Sequence, residues 1–173
     1  MEERPLTGLV GDACALIDIL EANESVLTLI AQHVAPVIVP TPVLAEIQQL
    51  DELRCTALGL TVVEPTLEQL DEAADQHPAL SFADRICLIV ARDSGYACLT
   101  NDGSLGEECR ARGVAQMRGL RPLLKLVELG VLSLKAALAT VDLIAQANPY
   151  ITSAVVLEFT RIAEEADDRL AGR

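Results

Sequence analysis

Short, almost uninterrupted apolar runs recur along this chain, each closed by a turn or helix-starting residue and followed by a helical period. That alternation limits what the chain can fold into. The run GLVGDA at residues 8–13 reads as a strand ending at Asp12. Behind it Leu16, Ile19, Leu20, Val26, Leu27 and Ile30 recur at helical spacing, over one helix or a helix pair. APVIVP is a second strand, stopped by Pro40, and TPVLAEIQQL a second helix, with Thr41 as N-cap and Pro42 at the first helical position. LTVVEP gives a third strand, and TLEQLDEAADQ a polar-faced helix opened by Thr66. After His77-Pro78, Ser81 caps SFADRICLIVARDSG, which buries Phe82, Ile86, Leu88, Ile89 and Val90 and ends at Gly95. YACLTN is a fourth strand, residues 104–112 a helix, and VAQM a fifth strand. Strands apolar on both sides and separated by helices predict an α/β fold: an open, five-stranded parallel sheet with helices on both faces.

Beyond Arg118 only helical patterns remain. RPLLKLVELG ends at Gly130, SLKAALATVDLIAQA runs from a Ser133 cap to Asn148-Pro149, and the last segment places Val155, Phe159, Ile162 and Ala166 on one stripe. The chain thus divides into a sheet domain at residues 1–118 and a helical extension at residues 119–173, packed on the sheet domain or on a second subunit. With 173 residues, 51% of them hydrophobic, it can bury a substantial core.

Charge and composition exclude several functions. There are 26 acidic against 13 basic residues, so a phosphate backbone is not attracted by net charge and any nucleic-acid contact is local. Two Phe and two Tyr are too few for a stacking platform of the RRM or OB kind. Five cysteines, none at CxxC spacing, read as reduced core thiols of a cytoplasmic protein. His33 and His77 are isolated and read as solvated rather than zinc-binding. The start, MEERPLTG, lacks a signal pattern, and Pro36, Pro40 and Pro42 interrupt the longest uncharged stretch, so no membrane association is expected.

Side chains at the carboxyl ends of parallel strands converge on one crevice. Asp12 ends the first strand, Asp102 follows the fourth, Glu46 lies on the helix after the second, and Asp84 lies in the first turn of the helix that leads into the fourth. Singly, Asp84 also reads as an early-turn acid, Asp102 as a helix cap and Glu46 as a solvated helix residue. Jointly they crowd one mouth, where two carboxylates at ~4 Å repel by about 4 kcal/mol at an effective dielectric of 20. Arg85 points away from its neighbour Asp84 on a helix, and the only lysines are Lys125 and Lys135. A hard divalent cation, magnesium or manganese, offsets such crowding through oxygen ligands.

The blocks LVGDACALI, VPTPVLAEI, LSFADRICLIVARDSGY and CLTNDGSL, with Asp84 and Asp102 18 residues apart, resemble the PIN-domain metal-dependent nucleases, which include the VapC-type toxins. The resemblance covers residues 7 to about 118, and GLRPLLKLVELG is similar to the helical ending of some PIN-like proteins. It implies a PIN-like, Rossmann-like sheet and hydrolysis of RNA phosphodiesters, with Asp12, Asp84 and Asp102 coordinating one or two Mg or Mn ions. Glu46 completes the coordination or orients the attacking water. Thr100, Asn101 and Ser104 support the ligands; Thr100 matches a hydroxyl residue often found two positions before the last acid, and Ser104 stands where some members have a further acid. Asp12 is followed by Ala13-Cys14 where members commonly place a hydroxyl or amide residue. One supporting hydrogen bond is therefore expected to be missing.

For RNA, residues 110–125 contain Arg110, Arg112, Arg118, Arg121 and Lys125 with no acid among them, which reads either as a local phosphate track or as a solvated face. An antitoxin chain over the site and a homodimer through the helices are the expected protein partners. The rival from another class is a PIN-fold binding module without turnover. A phospho-accepting receiver also carries acids at strand ends, but its Lys after the last strand has no counterpart here.

Overall fold

The computed structural model describes residues 6–75 and 79–172; His77 lies outside them. Five short strands, β1 (Leu9–Gly11), β2 (Val37–Pro40), β3 (Thr61–Val63), β4 (Ala97–Thr100) and β5 (Gln116–Arg118), form one sheet. All neighbours pair in parallel, in the order β3-β2-β1-β4-β5. The expected α/β fold, a five-stranded parallel sheet between helices, is the observed one. The order also separates the chain from flavodoxin-like and receiver sheets, which run 2-1-3-4-5.

β1, β2 and β4 are buried along their whole length, as their unbroken apolar sequence requires. On one face lie α1 (Ala13–His33) and, packed against it, α7 (Arg121–Glu128) and α8 (Leu134–Ala147). On the other, α5 (Phe82–Ser94) packs on β1, β2 and β4 and is flanked by α4 (Leu67–Ala74) and α6 (Gly103–Ala111). The last helix, α9 (Ser153–Ala171), packs on α7 and α8. Leu123, Leu126, Ala137 and Val141 are fully buried in the same continuous core as Leu9, Leu16 and Leu99, so the helical extension packs on the sheet domain of its own chain.

Local chemistry explains the boundaries. Ser81 and Thr66 each form a reciprocal capping box, with Asp84 and Gln69, and Ser133 and Thr152 cap α8 and α9. Gly95 closes α5 in the left-handed conformation, at φ 68. Of the expected single helix or helix pair, the structure shows two helical stretches within α1, separated by a kink at Asn23, whose backbone is extended.

Four expectations are corrected. The second helix, α2 (Thr41–Leu44), has Pro40 rather than Thr41 as N-cap, and the chain then passes through turns that bury Ile47 and Leu50. A further helix, α3 (Glu52–Ala57), follows, capped by Asp51. Phe82 is largely exposed beneath the Arg85 guanidinium, 5.9 Å from its ring centre, because Ala83 and Ile86 take the inward positions. On α9 the buried stripe is Phe159, Ala163 and Ala166, with Val155 exposed. Among the cysteines, Cys14 is exposed and is not a core thiol, whereas Cys55, Cys87, Cys98 and Cys109 are buried.

Among the described residues no helix is long and apolar enough to cross a membrane.

Candidate active site

In this strand order the direction of the winding reverses between β1 and β4, and the crevice beyond their carboxyl ends is where open α/β sheets bind ligands. β1 delivers Asp12 there and β4 delivers Thr100 and Asp102. The register Gly11 opposite Leu99 sets the residues that follow side by side, and the Asp12 amide donates to the Leu99 carbonyl at 3.0 Å.

Asp12 is the buried member, 2% exposed. It is the N-cap of α1: one carboxylate oxygen accepts from the Ala15 amide at 2.7 Å, and the other accepts from the Thr100 hydroxyl. Thr100, itself fully buried, accepts in turn from the Asp102 amide at 2.9 Å. Thr100, expected to support the acids, does so from across the sheet. Gly11 lets the chain pass close to α1 at this point, since a Cβ there would meet the Leu16 side chain at 2.8 Å.

Despite those hydrogen bonds, the Asp12 carboxyl is pushed up from 3.8 to about 6. Burial is the main cause, and the charges of Asp84 and Asp102 add to it. The neighbouring Cys14 thiol, though exposed, is pushed up to about 11 by partial desolvation from the surrounding chain and then by Asp12, Asp84, Asp18 and Asp102. Glu46, also exposed, is raised by partial desolvation and then by Asp84. Asp84 and Asp102 thus act on Asp12, and Asp84 acts on Glu46.

Each acid is also held by the local fold. Asp84 closes the capping box of α5, one oxygen accepting from the Ser81 amide at 3.0 Å. Asp102 caps α6, accepting from the Leu105 amide at 2.8 Å. Among the described residues the second oxygen of each has no hydrogen bond, and both face solvent more freely than Asp12. Glu46 lies in the turn after α2 rather than on a continuous helix, and is exposed.

No basic side chain compensates the cluster: among the described residues none of the four acids takes part in an ion pair. Arg85 turns away, donating to the carbonyls of Ala73 and Leu80 at 2.6 Å each. Among the described residues no three potential ligands stand in a ready coordinating group. By donor chemistry alone the acids suit a hard divalent cation: they offer carboxylate oxygen throughout, and Asp84 and Asp102 each keep an oxygen not engaged in capping.

The supporting residues and the basic run are distributed less simply. Asn101 donates to Asp18 at 3.0 Å, and its own side-chain oxygen is buried without a partner. Ser104 is half-buried beside Asp102 on a groove that the site shares with α1 and the α8–α9 link. α6 carries the chain from the carboxyl end of β4 to the amino end of β5, so Arg110 and Arg112 lie at the end of the sheet opposite the acids. Arg112 is paired with Glu108 at 3.2 Å and Glu72 at 3.7 Å. Arg118 is exposed at the carboxyl end of β5, in register with Thr100. Arg121 and Lys125 line a cavity with Arg118 on the β5 edge, and both pair with Glu128, at 3.7 and 3.2 Å. Arg110 and Arg112 thus lie away from Arg118, while Arg121 and Lys125 sit on an edge cavity that also reaches Ala97 and Ala115 at the starts of β4 and β5. Asp18 and Asn148, which line the shared groove, are the residues that sequence reasoning missed. No spacing signal links two positions 130 apart.

No protein-family model matches the chain, and no curated protein matches it in sequence.

Proposed function

We propose that the chain is a divalent-metal-dependent ribonuclease that hydrolyses RNA phosphodiester bonds. The observation that carries the reading is the buried Asp12 carboxyl, held near 6 by desolvation and by Asp84 and Asp102, with no cationic side chain among the described residues to relieve it. Bound magnesium or manganese would supply polarisation of the phosphate and a bound water of lowered pKa. Asp12, Asp84 and Asp102 would hold the cation, and Glu46, exposed and sensing the charge of Asp84, would orient the attacking water or complete the coordination. Thr100 fixes both Asp12 and the turn that aims Asp102. The raised Asp12 carboxyl makes cation binding compete with a proton, so activity falls as pH drops through about 6.

RNA reaches the site past Arg118 and Arg121 rather than along the whole basic run. A toxin role with an antitoxin chain over the acidic mouth, in the cytoplasm, is the biological setting this reading favours. A second copy of the chain would dock on α8 and α9, where Leu143 and Leu157 are exposed. A binding module without turnover is the second reading, favoured by the ion pairs that hold Arg112, Arg121 and Lys125.

Incubation of single-stranded RNA with the native chain and with Asp84→Asn, with and without manganese, separates the two readings. The ribonuclease cleaves only with the metal, and Asp84→Asn lowers the rate at least about a hundredfold. RNA left intact by a folded native chain with manganese would favour the binding module.

A further inference from the structure

A groove of about 490 Å³ opens directly beside the carboxylates, a size within the range of small-molecule sites, about 300–1,000 Å³. Asp18 of α1, Asn101, Asp102 and Ser104 line it from the sheet domain, and Asn148 and Tyr150 line it from the link between α8 and α9. Part of its lining thus comes from the helical extension.

This groove is built. One Asp18 oxygen accepts from the side-chain amides of Asn148 at 2.7 Å and Asn101 at 3.0 Å, binding the extension to α1 and to the end of β4. The Asn148 side-chain oxygen accepts from the Tyr150 amide at 2.9 Å and so fixes the position from which the Tyr150 ring projects. Tyr150 lines the groove and is 84% exposed. The second Asp18 oxygen has no hydrogen bond among the described residues.

We infer that the groove is a subsite for one unpaired nucleobase of the RNA, adjacent to the phosphate held at the acids. The inference deepens the ribonuclease reading and rests on it. The groove contains no Lys, Arg or His but two carboxylates, so it rejects a phosphate and accepts an uncharged ring. An exposed aromatic face suits base stacking, and a carboxylate oxygen suits the N–H donors of a base edge. Asp102, which lines the groove, makes a base seated here the neighbour of a phosphate at the carboxylates. The helical extension then selects which residue of a single strand is presented for cleavage.

Guanosine and uridine, which carry no phosphate, test the subsite by saturation-transfer NMR on the metal-free chain. Native protein transfers magnetisation to the base protons of at least one of them. Tyr150→Ala weakens that binding about tenfold, and Tyr150→Phe retains it. Tyr150 packs on little, so the variants keep the fold, checked by circular dichroism. No transfer in the native chain, or equal binding by Tyr150→Ala, overturns the subsite even if the chain cleaves RNA. Nucleoside binding that depends on Tyr150 in a chain that leaves RNA intact retains the base site and sinks the ribonuclease reading instead.

Discussion

Replacing Asp12 by Asn should make the metal-free protein more stable at neutral pH, although Asp12 is buried and fully hydrogen-bonded. The native carboxyl is raised from 3.8 to about 6, which at about 1.36 kcal/mol per unit corresponds to about 3 kcal/mol. A raised acid binds its proton more tightly in the folded chain than in the unfolded one. Its contribution is therefore complete below about pH 4 and is lost as pH rises through about 6. Asn keeps the shape, accepts from the Ala15 amide and removes the charge. It also leaves the Thr100 hydroxyl without its acceptor, at a cost of about 1 kcal/mol. The net expectation is Asp12→Asn more stable than native by about 2 kcal/mol at pH 7 and less stable by about 1 kcal/mol at pH 4. For a chain of this length that is a rise of about 4–8 °C in Tm at pH 7. Urea unfolding of both proteins from pH 4 to pH 8 measures it. The difference between the two curves removes Glu72 and Asp93, whose lowered carboxyls act in the opposite sense. Parallel curves, or an Asn variant less stable than native at pH 7, would refute the reasoning.

The other expectations follow from the same geometry. Thr100→Val removes the hydroxyl that donates to Asp12 and accepts from the Asp102 amide, so it should cost about 1–3 kcal/mol in urea unfolding and raise the Asp12 carboxyl further. Should Thr100→Val unfold like the native chain, the hydrogen-bonded link between β1 and β4 is not a stabilising one. In gel-shift titrations against salt, Arg118→Glu should lower the slope by about one, whereas Arg112→Glu, at the far end of the sheet, should leave it unchanged. The reverse order would place the RNA across α6.

The parts of the fold legible in the sequence are those with strong local chemistry. Ser81 with Asp84, Thr66 with Gln69, and Gly95 after α5 mark their boundaries through short-range hydrogen bonds and backbone sterics. The apolar runs mark β1, β2 and β4 because burial on both faces leaves no room for alternation. The early end of α2 and the existence of α3 are illegible for the opposite reason. Ile47 and Leu50 are three apart and buried, which imitates a helical period, but they anchor turns; α3 buries only Cys55.

The same distinction holds at the site. That Asp12 and Asp102 follow neighbouring strands is legible from strand ends alone, but that Thr100 bonds Asp12 depends on the pairing of β1 with β4. The basic run misleads because residues near in sequence are carried by α6 and β5 to opposite ends of the sheet. Asp18 and Asn148 become neighbours only once the extension packs on α1.

Calorimetric titration of manganese into the metal-free chain at pH 7 probes the meeting of the four acids most directly. The native protein should bind saturably, and Asp84→Asn should bind at least about tenfold more weakly. Equal affinity in the two proteins, or no saturable uptake by the native chain, would contradict a cation site among Asp12, Glu46, Asp84 and Asp102.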